Sequence, residues 1–497
     1  MTFTIYELAA MQPALLVMIA GLLAVGLDTF VPSKTRIAHA MLCGGGVIAA
    51  MAALGSQLYY QRTAIHAFGN MLVLDDMACF LSLAILAATG LVLISSDADT
   101  TRRNIGFGEY YGLIMIAASA MMMLVASNDF MTIFVNLEVL SLALYVLTGI
   151  TRKNPRSNEA SVKYLVSGAF ATCFFLMGVA FLYGATGTFA LSGIREALAL
   201  GLDSSMARVG LGMVMVGFAF KIGAVPFHMW VPDVYEGAPT STTAFMSVTV
   251  KAAGVGALIR VLLIAAPMRS DLWADLLWWM AVATMVVGNL MALQQTSVKR
   301  MLAFSSVAHT GYALVALATM RSTDETFVPE AAASALFYLL TYTFMTLGAF
   351  SFLIYMGHEL PGKDGTSEWQ DAETLSDLAG MADRRPWAAA MMGLFLLSLG
   401  GIPPTAGFLG KFYLFAGAIE RGHVTIAVIG VMASLVSLYY YLRVIVWMYM
   451  KEPMIADEKP HPSVAVVIAL AGLATLLIGV MPGAFIAAAE HSIAVLR

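Results

Sequence analysis

The sequence predicts an all-α polytopic membrane protein with 14 transmembrane helices, arranged as two inverted five-helix repeats that each contain a broken helix. Three observations lead there. Of the 497 residues, 60% are hydrophobic and 12% are charged, against about 25% charged in soluble domains. Apolar runs of about 20 residues, the length that crosses a bilayer, recur along the whole chain. Two of these runs are interrupted beside a lysine: Lys221-Ile222-Gly223-Ala224-Val225-Pro226, and Gly400-Gly401-Ile402-Pro403-Pro404 followed by Lys411. Proline removes a backbone donor and clashes with the preceding turn, so a helix breaks or kinks there. At membrane depth the freed backbone groups are tolerated only against protein or a water-filled cavity.

In chain order the spans are expected near 11–31, 37–60, 75–96, 109–126, 130–150, 159–184, 206–230, 241–265, 273–294, 301–320, 331–356, 386–420, 424–450 and 463–490. Met1 to Ala10 carries Glu7 and no basic segment, so the first apolar run reads as a retained span, not a cleaved signal. Spans 4 and 5 are separated only by the polar turn Ser127-Asn128-Asp129. The longest polar stretch, Gly357 to Arg385, reads as a surface loop, and no soluble domain is expected. Each break falls in the fourth span of a five-span block, spans 4–8 or 9–13. Five is odd, so the blocks run with opposite topology, the pattern of inverted-repeat transporters with ion paths at paired interrupted helices. The expected division is 1–108 (three N-terminal helices), 109–265 (first repeat), 273–450 (second repeat) and 451–497 (C-terminal helix).

Loop charge gives an orientation. Loops after odd-numbered spans carry Lys34, Arg36, Arg102, Arg103, Arg152, Lys153, Arg156, Lys299, Arg300, Lys363, Arg384, Arg385, Lys451 and Lys459. Loops after even-numbered spans carry or abut Arg62, Arg195, Arg208, Arg269, Arg321 and Arg421. The odd loops are therefore expected in the cytoplasm, with both termini, including Arg497, on the other side.

Charges inside the spans carry the functional signal, because an ionisable side chain in a bilayer is costly. Glu138 lies mid-span and would seek a cation; it reads as a partner of Lys221 or as half of a structural ion pair. Lys221, beside the first break, reads as a proton carrier or as a lysine snorkelling to the interface. A change in the Glu138–Lys221 separation would change how tightly the lysine holds its proton. Lys251, near the centre of span 8 with Ser247 and Thr249 beside it, reads as a group that passes a proton between the blocks, since snorkelling, the alternative, is hard from there. Lys411 reads as the second-block counterpart of Lys221 or as an interfacial lysine. His309 is a relay candidate or a hydrogen-bonded packing histidine in equal measure. His228 and Asp233 read mainly as caps of the loop after the break, while Arg260, Arg443 and Lys163 read as gates, acid partners or interfacial anchors. Cys43, Cys79 and Cys173 read as small buried hydrophobes.

Several functions are excluded. A net charge of −4 without basic clusters argues against nucleic-acid binding. No Gly-rich phosphate loop follows a strand, no cysteine set fits an iron–sulfur cluster, and no paired in-span histidines fit haem. This chain is not expected to carry electrons.

These residues resemble a known family, the proton-pumping antiporter-like subunits of bacterial respiratory complex I, and within it the subunit N type. The resemblance covers nearly the whole chain. It rests on the Glu138 span, on Lys-Ile-Gly-Ala-Val-Pro-Phe-His-Met-Trp from Lys221 and on Pro-Asp-Val-Tyr-Glu-Gly-Ala-Pro from Pro232. Further support comes from Ser-Ser-Val-Ala-His-Thr-Gly-Tyr from Ser305, Glu-Ala-Ser-Val-Lys-Tyr-Leu-Val-Ser-Gly-Ala-Phe from Glu159, and Gly-Ile-Pro-Pro-Thr-Ala-Gly-Phe-Leu-Gly-Lys from Gly401. The M type typically has glutamate where Lys411 stands, and the L type adds a long lateral helix after its last span. The resemblance implies that Glu138 modulates Lys221, that Lys251 connects two half-channels and that Lys411 ends the exit path. It implies assembly with a neighbouring antiporter-like subunit and small membrane subunits in a bacterial inner membrane. NADH, FMN, iron–sulfur clusters and quinone would belong to other subunits, with no cofactor here. The alternative is a subunit of a multi-subunit cation/proton antiporter, which shares the fold.

Overall fold

The computed structural model describes residues 5–30, 36–60, 64–103, 105–201, 204–361, 367–453 and 461–494. Lys34, Arg62, Lys363, Lys459 and Arg497 lie outside them. Thirteen helices among the described residues are long and apolar enough to cross a membrane. In order they are Ile5–Phe30, Arg36–Tyr60, Asp76–Arg103, Phe107–Ala126, Phe130–Thr148, Pro155–Thr186, Ser205–Ile222, Thr240–Ile264, Ser270–Leu293, Val298–Ala318, Ala331–Tyr355, Val424–Met450 and Pro462–Val480. The remaining expected span, 386–420, is two shorter helices, Pro386–Gly400 and Ala406–Glu420.

Local chemistry sets several of the starts. Asp129 accepts from Met131 N at 2.8 Å, Asn154 from Arg156 N at 3.0 Å ahead of Pro155, and Ser204 and Ser297 cap the helices that follow them. The helices sort by burial. Thr240–Ile264, Val298–Ala318 and Ala331–Tyr355 are buried over 94%, 100% and 89% of their apolar windows, whereas Ala38–Tyr59 is buried over 28%. Lys251, His309 and Tyr342 therefore sit on the three most enclosed helices.

Both interruptions exist, and their loose backbone groups find partners. Ser205–Ile222 ends on Gly223, whose φ of +71° is the left-handed conformation that favours glycine. Val225 N then donates to Thr284 Oγ1 (3.0 Å), Phe220 O accepts from Trp230 Nε1 (3.0 Å) and Ile222 O accepts from Thr310 Oγ1 (2.9 Å). The chain resumes as the short helix Trp230–Gly237. The second break repeats the device at Gly401, φ +86°. Val225–Pro226 and Pro403–Pro404 are cis.

Four expectations need correction. The last span, 463–490, ends at Val480; Met481-Pro482 separates it from the short helix Gly483–Ala494, because Pro482 has no N–H to continue the ladder. Arg102 and Arg103, expected in a loop, close the helix Asp76–Arg103. The segment from Gly357 to Arg385 is not wholly a surface loop: it includes the hairpin His358–Pro361/Ser367–Gln370, and Asp371, Ala372, Leu378, Ala379 and Met381 are buried. Asp371 hydrogen-bonds inside the bundle, which holds this stretch down. Span 8 is not a uniform helix, since Met246–Val250 is a π-helical turn immediately before Lys251.

Candidate functional site: a buried row of amines and hydroxyls

At one end of the row, Glu138 and Lys221 share a cavity with Ser141, Tyr145, Thr172 and Phe220, with about 20 Å³ of room for the centre of a water molecule. That is enough for one water. The two charges do not pair directly. Lys221 Nζ donates to Ser141 Oγ at 2.7 Å and lies 6.0 Å from the Tyr164 ring centre, while Glu138 Oε1 accepts from Thr172 Oγ1 at 2.6 Å. Lys221 is 6% exposed. Its stem packs against Gly254, where an added Cβ would lie 3.9 Å from Lys221 Cγ. The first lysine is thus stacked on the helix that carries the second.

Lys251 donates to both the hydroxyl (2.5 Å) and the carbonyl of Ser306, and its ammonium sits 5.4 Å from the Tyr342 ring centre. Tyr342 OH donates to the same Ser306 hydroxyl at 3.0 Å. One helical turn on, His309 Nδ1 hydrogen-bonds Tyr338 OH (2.5 Å) and Nε2 hydrogen-bonds Tyr441 OH (3.2 Å), which also bonds Ser305 Oγ. The His309 ring is 5.1 Å from Tyr342 and 5.5 Å from Tyr312. Both ring nitrogens of His309 are thus engaged by phenol hydroxyls, which places the imidazole in a hydrogen-bonded chain.

Lys411 closes the row. Its Nζ lies 4.8 Å from the Tyr312 ring centre and donates to Leu399 O (2.7 Å), Gly400 O (3.3 Å) and Ser434 Oγ (2.7 Å). Those carbonyls end the half-helix Pro386–Gly400, where the negative pole of the helix dipole favours a cation. The break therefore serves the lysine: unwinding leaves carbonyls without N–H partners, and the amine takes them. Among the described residues none of the three lysines forms an ion pair with a carboxylate. Each is held by neutral oxygens and rings.

The other charged residues lie away from the row. Arg260 forms a fully buried two-pronged pair with Asp75, both contacts 2.8 Å, and donates to Val125 O. Arg443 donates to the carbonyls of Leu293 and Gln295. Lys163 pairs with Glu159 and Asp233, and Arg300 with Asp233 and Glu236. Asp233 is therefore an ion-pair centre outside the membrane-spanning helices, not a cap. Burial alone would push its carboxyl up, but the hydrogen bonds and charges of Lys163 and Arg300 outweigh this and hold it below the usual value. His228 does act at the loop, through its carbonyl, which accepts from Val231 N at 2.9 Å. Cys43 and Cys79 are buried, whereas Cys173 is exposed and so is not a core residue.

Sequence reasoning missed the hydroxyl partners: Ser141, Ser306, Ser434, Tyr338, Tyr342 and Tyr441. The run Ser305-Ser306 beside His309, and Tyr440-Tyr441 near Arg443, were the available signals.

Residues 127–437 match the family described as NADH:quinone oxidoreductase/Mrp antiporter, TM. The chain is 41% identical over 499 residues to NADH-quinone oxidoreductase subunit N of Trichlorobacter lovleyi, covering 99% of this chain and 98% of that one. It is 43% identical over 410 residues to subunit N of Mycobacterium tuberculosis, covering 81% and 75%. Among solved structures it resembles a chain of respiratory complex I from Thermus thermophilus with bound aureothin, at 31% identity and TM-score 0.77, covering 96% and 98%. It shares its fold with a chain of the Mrp complex from a Dietzia species, at 20% identity and TM-score 0.82, covering 98% and 97%. With a family match across most of its length and subunit N relatives alignable nearly end to end, the chain belongs to the NADH-quinone oxidoreductase subunit N family of antiporter-like membrane proteins.

Proposed function

We propose that the chain is the proton-translocating subunit N of NADH:quinone oxidoreductase, moving protons through its buried row while NADH-to-quinone electron transfer in other subunits supplies the energy. The carrying observation is that Lys221, Lys251 and Lys411 are each buried yet held by neutral oxygens. An amine so placed exists either as ammonium or as free amine, and can take up and release a proton. A carboxylate locked to it would fix it as ammonium.

In this reading Glu138 modulates Lys221 across their shared cavity. Lys251 connects the two halves, and His309 relays through Tyr338 and Tyr441. Lys411 is the terminal carrier. NADH, FMN, iron–sulfur clusters and quinone belong to the partner subunits. The chain lies in a bacterial inner membrane with both termini on the periplasmic side, as the basic loops favour. Segments 109–265 and 273–450 act as inverted repeats; the matched glycine-ended breaks at Gly223 and Gly401 support this.

The second reading, a subunit of a cation/proton antiporter, is favoured by the fold shared with the Mrp complex. Purifying the native assembly separates the two. Co-purifying flavin and iron–sulfur subunits, with NADH-dependent pumping indifferent to sodium, supports the first reading. Sodium-dependent exchange without NADH and without redox subunits contradicts it.

A further inference from the structure

The helix that carries Lys251 starts in a buried charge cluster that the row does not use. Asp99 and Asp371, both 0% exposed, share one guanidinium. Arg103 Nη2 lies 2.6 Å from Asp371 Oδ2, and its Nε donates to Asp99. Thr240 Oγ1 donates to Asp371 Oδ2 at 2.5 Å, and the amide (3.1 Å) and hydroxyl (2.5 Å) of Ser241 donate to Asp99. Asp99 thus sits at the positive N-terminal end of the helix. The cluster reaches the surface at one end of the bundle: the Arg103 side chain is 12% exposed, and Glu373, paired with Lys299 beside it, is 14% exposed.

From Thr240 the helix presents Thr243 and Ser247 before Lys251. Steps of three and four place Thr240, Thr243 and Ser247 along one side of the helix; the π turn Met246–Val250 then leads into Lys251, and all four are buried. Thr243 Oγ1 donates to Tyr235 O at 2.8 Å. A hydroxyl both donates and accepts. Ser247 Oγ donates to Ala244 O at 2.9 Å; Cβ atoms one turn apart are about 5–6 Å from each other, a gap that a bridging water can span between hydroxyls.

We propose that Asp371 is a proton-loading carboxyl and that Thr240, Thr243 and Ser247 form a hydroxyl ladder delivering its proton to Lys251. This rests on the proton-carrying reading of Lys251. Asp371 takes a proton from water and weakens its pairing with Arg103. It passes that proton to Thr240 Oγ1 as Thr240 releases its own onward. Each rung repeats the exchange until an N–H bond forms on the free amine of Lys251. The Asp371 carboxylate then re-pairs with Arg103. No electrons move.

The test is protons pumped per NADH oxidised by the whole complex in sealed vesicles. Thr243→Val with Ser247→Ala keeps the shape and removes the rungs. A roughly twofold or larger fall in that ratio is expected, because a positioned proton donor speeds transfer by orders of magnitude. The conservative pair Thr243→Ser and Ser247→Thr should keep the parental ratio, which a merely structural role would not require. Asp371→Asn should lower the ratio and Asp371→Glu should restore it in part. Lys251→Gln is the control. If it lowers the ratio and the double variant does not, the ladder is wrong and the Lys251 reading stands; if neither does, both fail.

Discussion

Lys221 directs its ammonium to Ser141, 2.7 Å from Nζ to Oγ, although Glu138 lies one turn away on the same helix. The carboxylate instead takes its hydrogen bond from Thr172. Ser141 thus competes with Glu138 for the amine. Removing a hydrogen bond to a charged group costs about 1.5–3 kcal/mol, so Ser141→Ala should slow proton pumping about tenfold or more, and Ser141→Thr should not. Rates of NADH-driven acidification by the purified, reconstituted complex give the comparison. Parental rates in the alanine variant would mean that the hydroxyl is idle.

At the second break the half-helices approach so closely that only glycine fits at 407. A Cβ there would stand 1.9 Å from Ser398 O, a backbone atom with no room to yield. Gly407→Ala should therefore part Ala406–Glu420 from Pro386–Gly400 and pull Lys411 off its carbonyls. The expected result is lost assembly or lost pumping, read by native gel electrophoresis and proton yield together. Gly393→Ala, where nothing lies within 4 Å, should leave both intact.

Arg260 and Asp75 are a buried ion pair, and breaking one partner leaves a bare charge. Arg260→Met or Asp75→Leu alone should each cost about 3–5 kcal/mol, while the double variant should recover most of it. Heat-induced dissociation of the complex measures this. Equal losses that simply add in the double variant would show that the two side chains do not act as a pair.

Asp233 gives a pH dependence of definite sign. Its folded-state carboxyl is held below the usual value despite partial burial, because Lys163 and Arg300 bond it. It therefore contributes stability above the ordinary carboxylate range, about pH 4, and loses that contribution as pH falls through its lowered value. Asp233→Asn should be slightly less heat-stable than the parent near neutral pH, and the two should converge under acid conditions. A difference that persists unchanged into acid would contradict the assignment.

The spans and the lysines were readable because hydropathy and charge are local properties. Lys221, Lys251, Lys411 and Glu138 stand out from apolar neighbours in any window. Their partners do not. Ser306 and Tyr342 lie on helices far from Lys251 in sequence, and a serine or tyrosine barely alters the hydropathy of its run. The π turn at Met246–Val250 leaves no mark in composition either, since it reflects packing around the helix and not residue preference. Asp371 reads as a loop residue in the sequence because its segment is polar. Only the folded bundle supplies the Arg103 and Thr240 that draw it inside. The sequence offers an ion pair as one reading of Glu138, but the intervening Ser141 is visible only in the folded chain.

The most direct measurement is the proton yield per NADH of the intact complex in sealed vesicles, for Lys221→Ala and Glu138→Ala separately. The buried row predicts that both variants assemble, still oxidise NADH and translocate markedly fewer protons. Full assembly with an unchanged proton yield in both would contradict it.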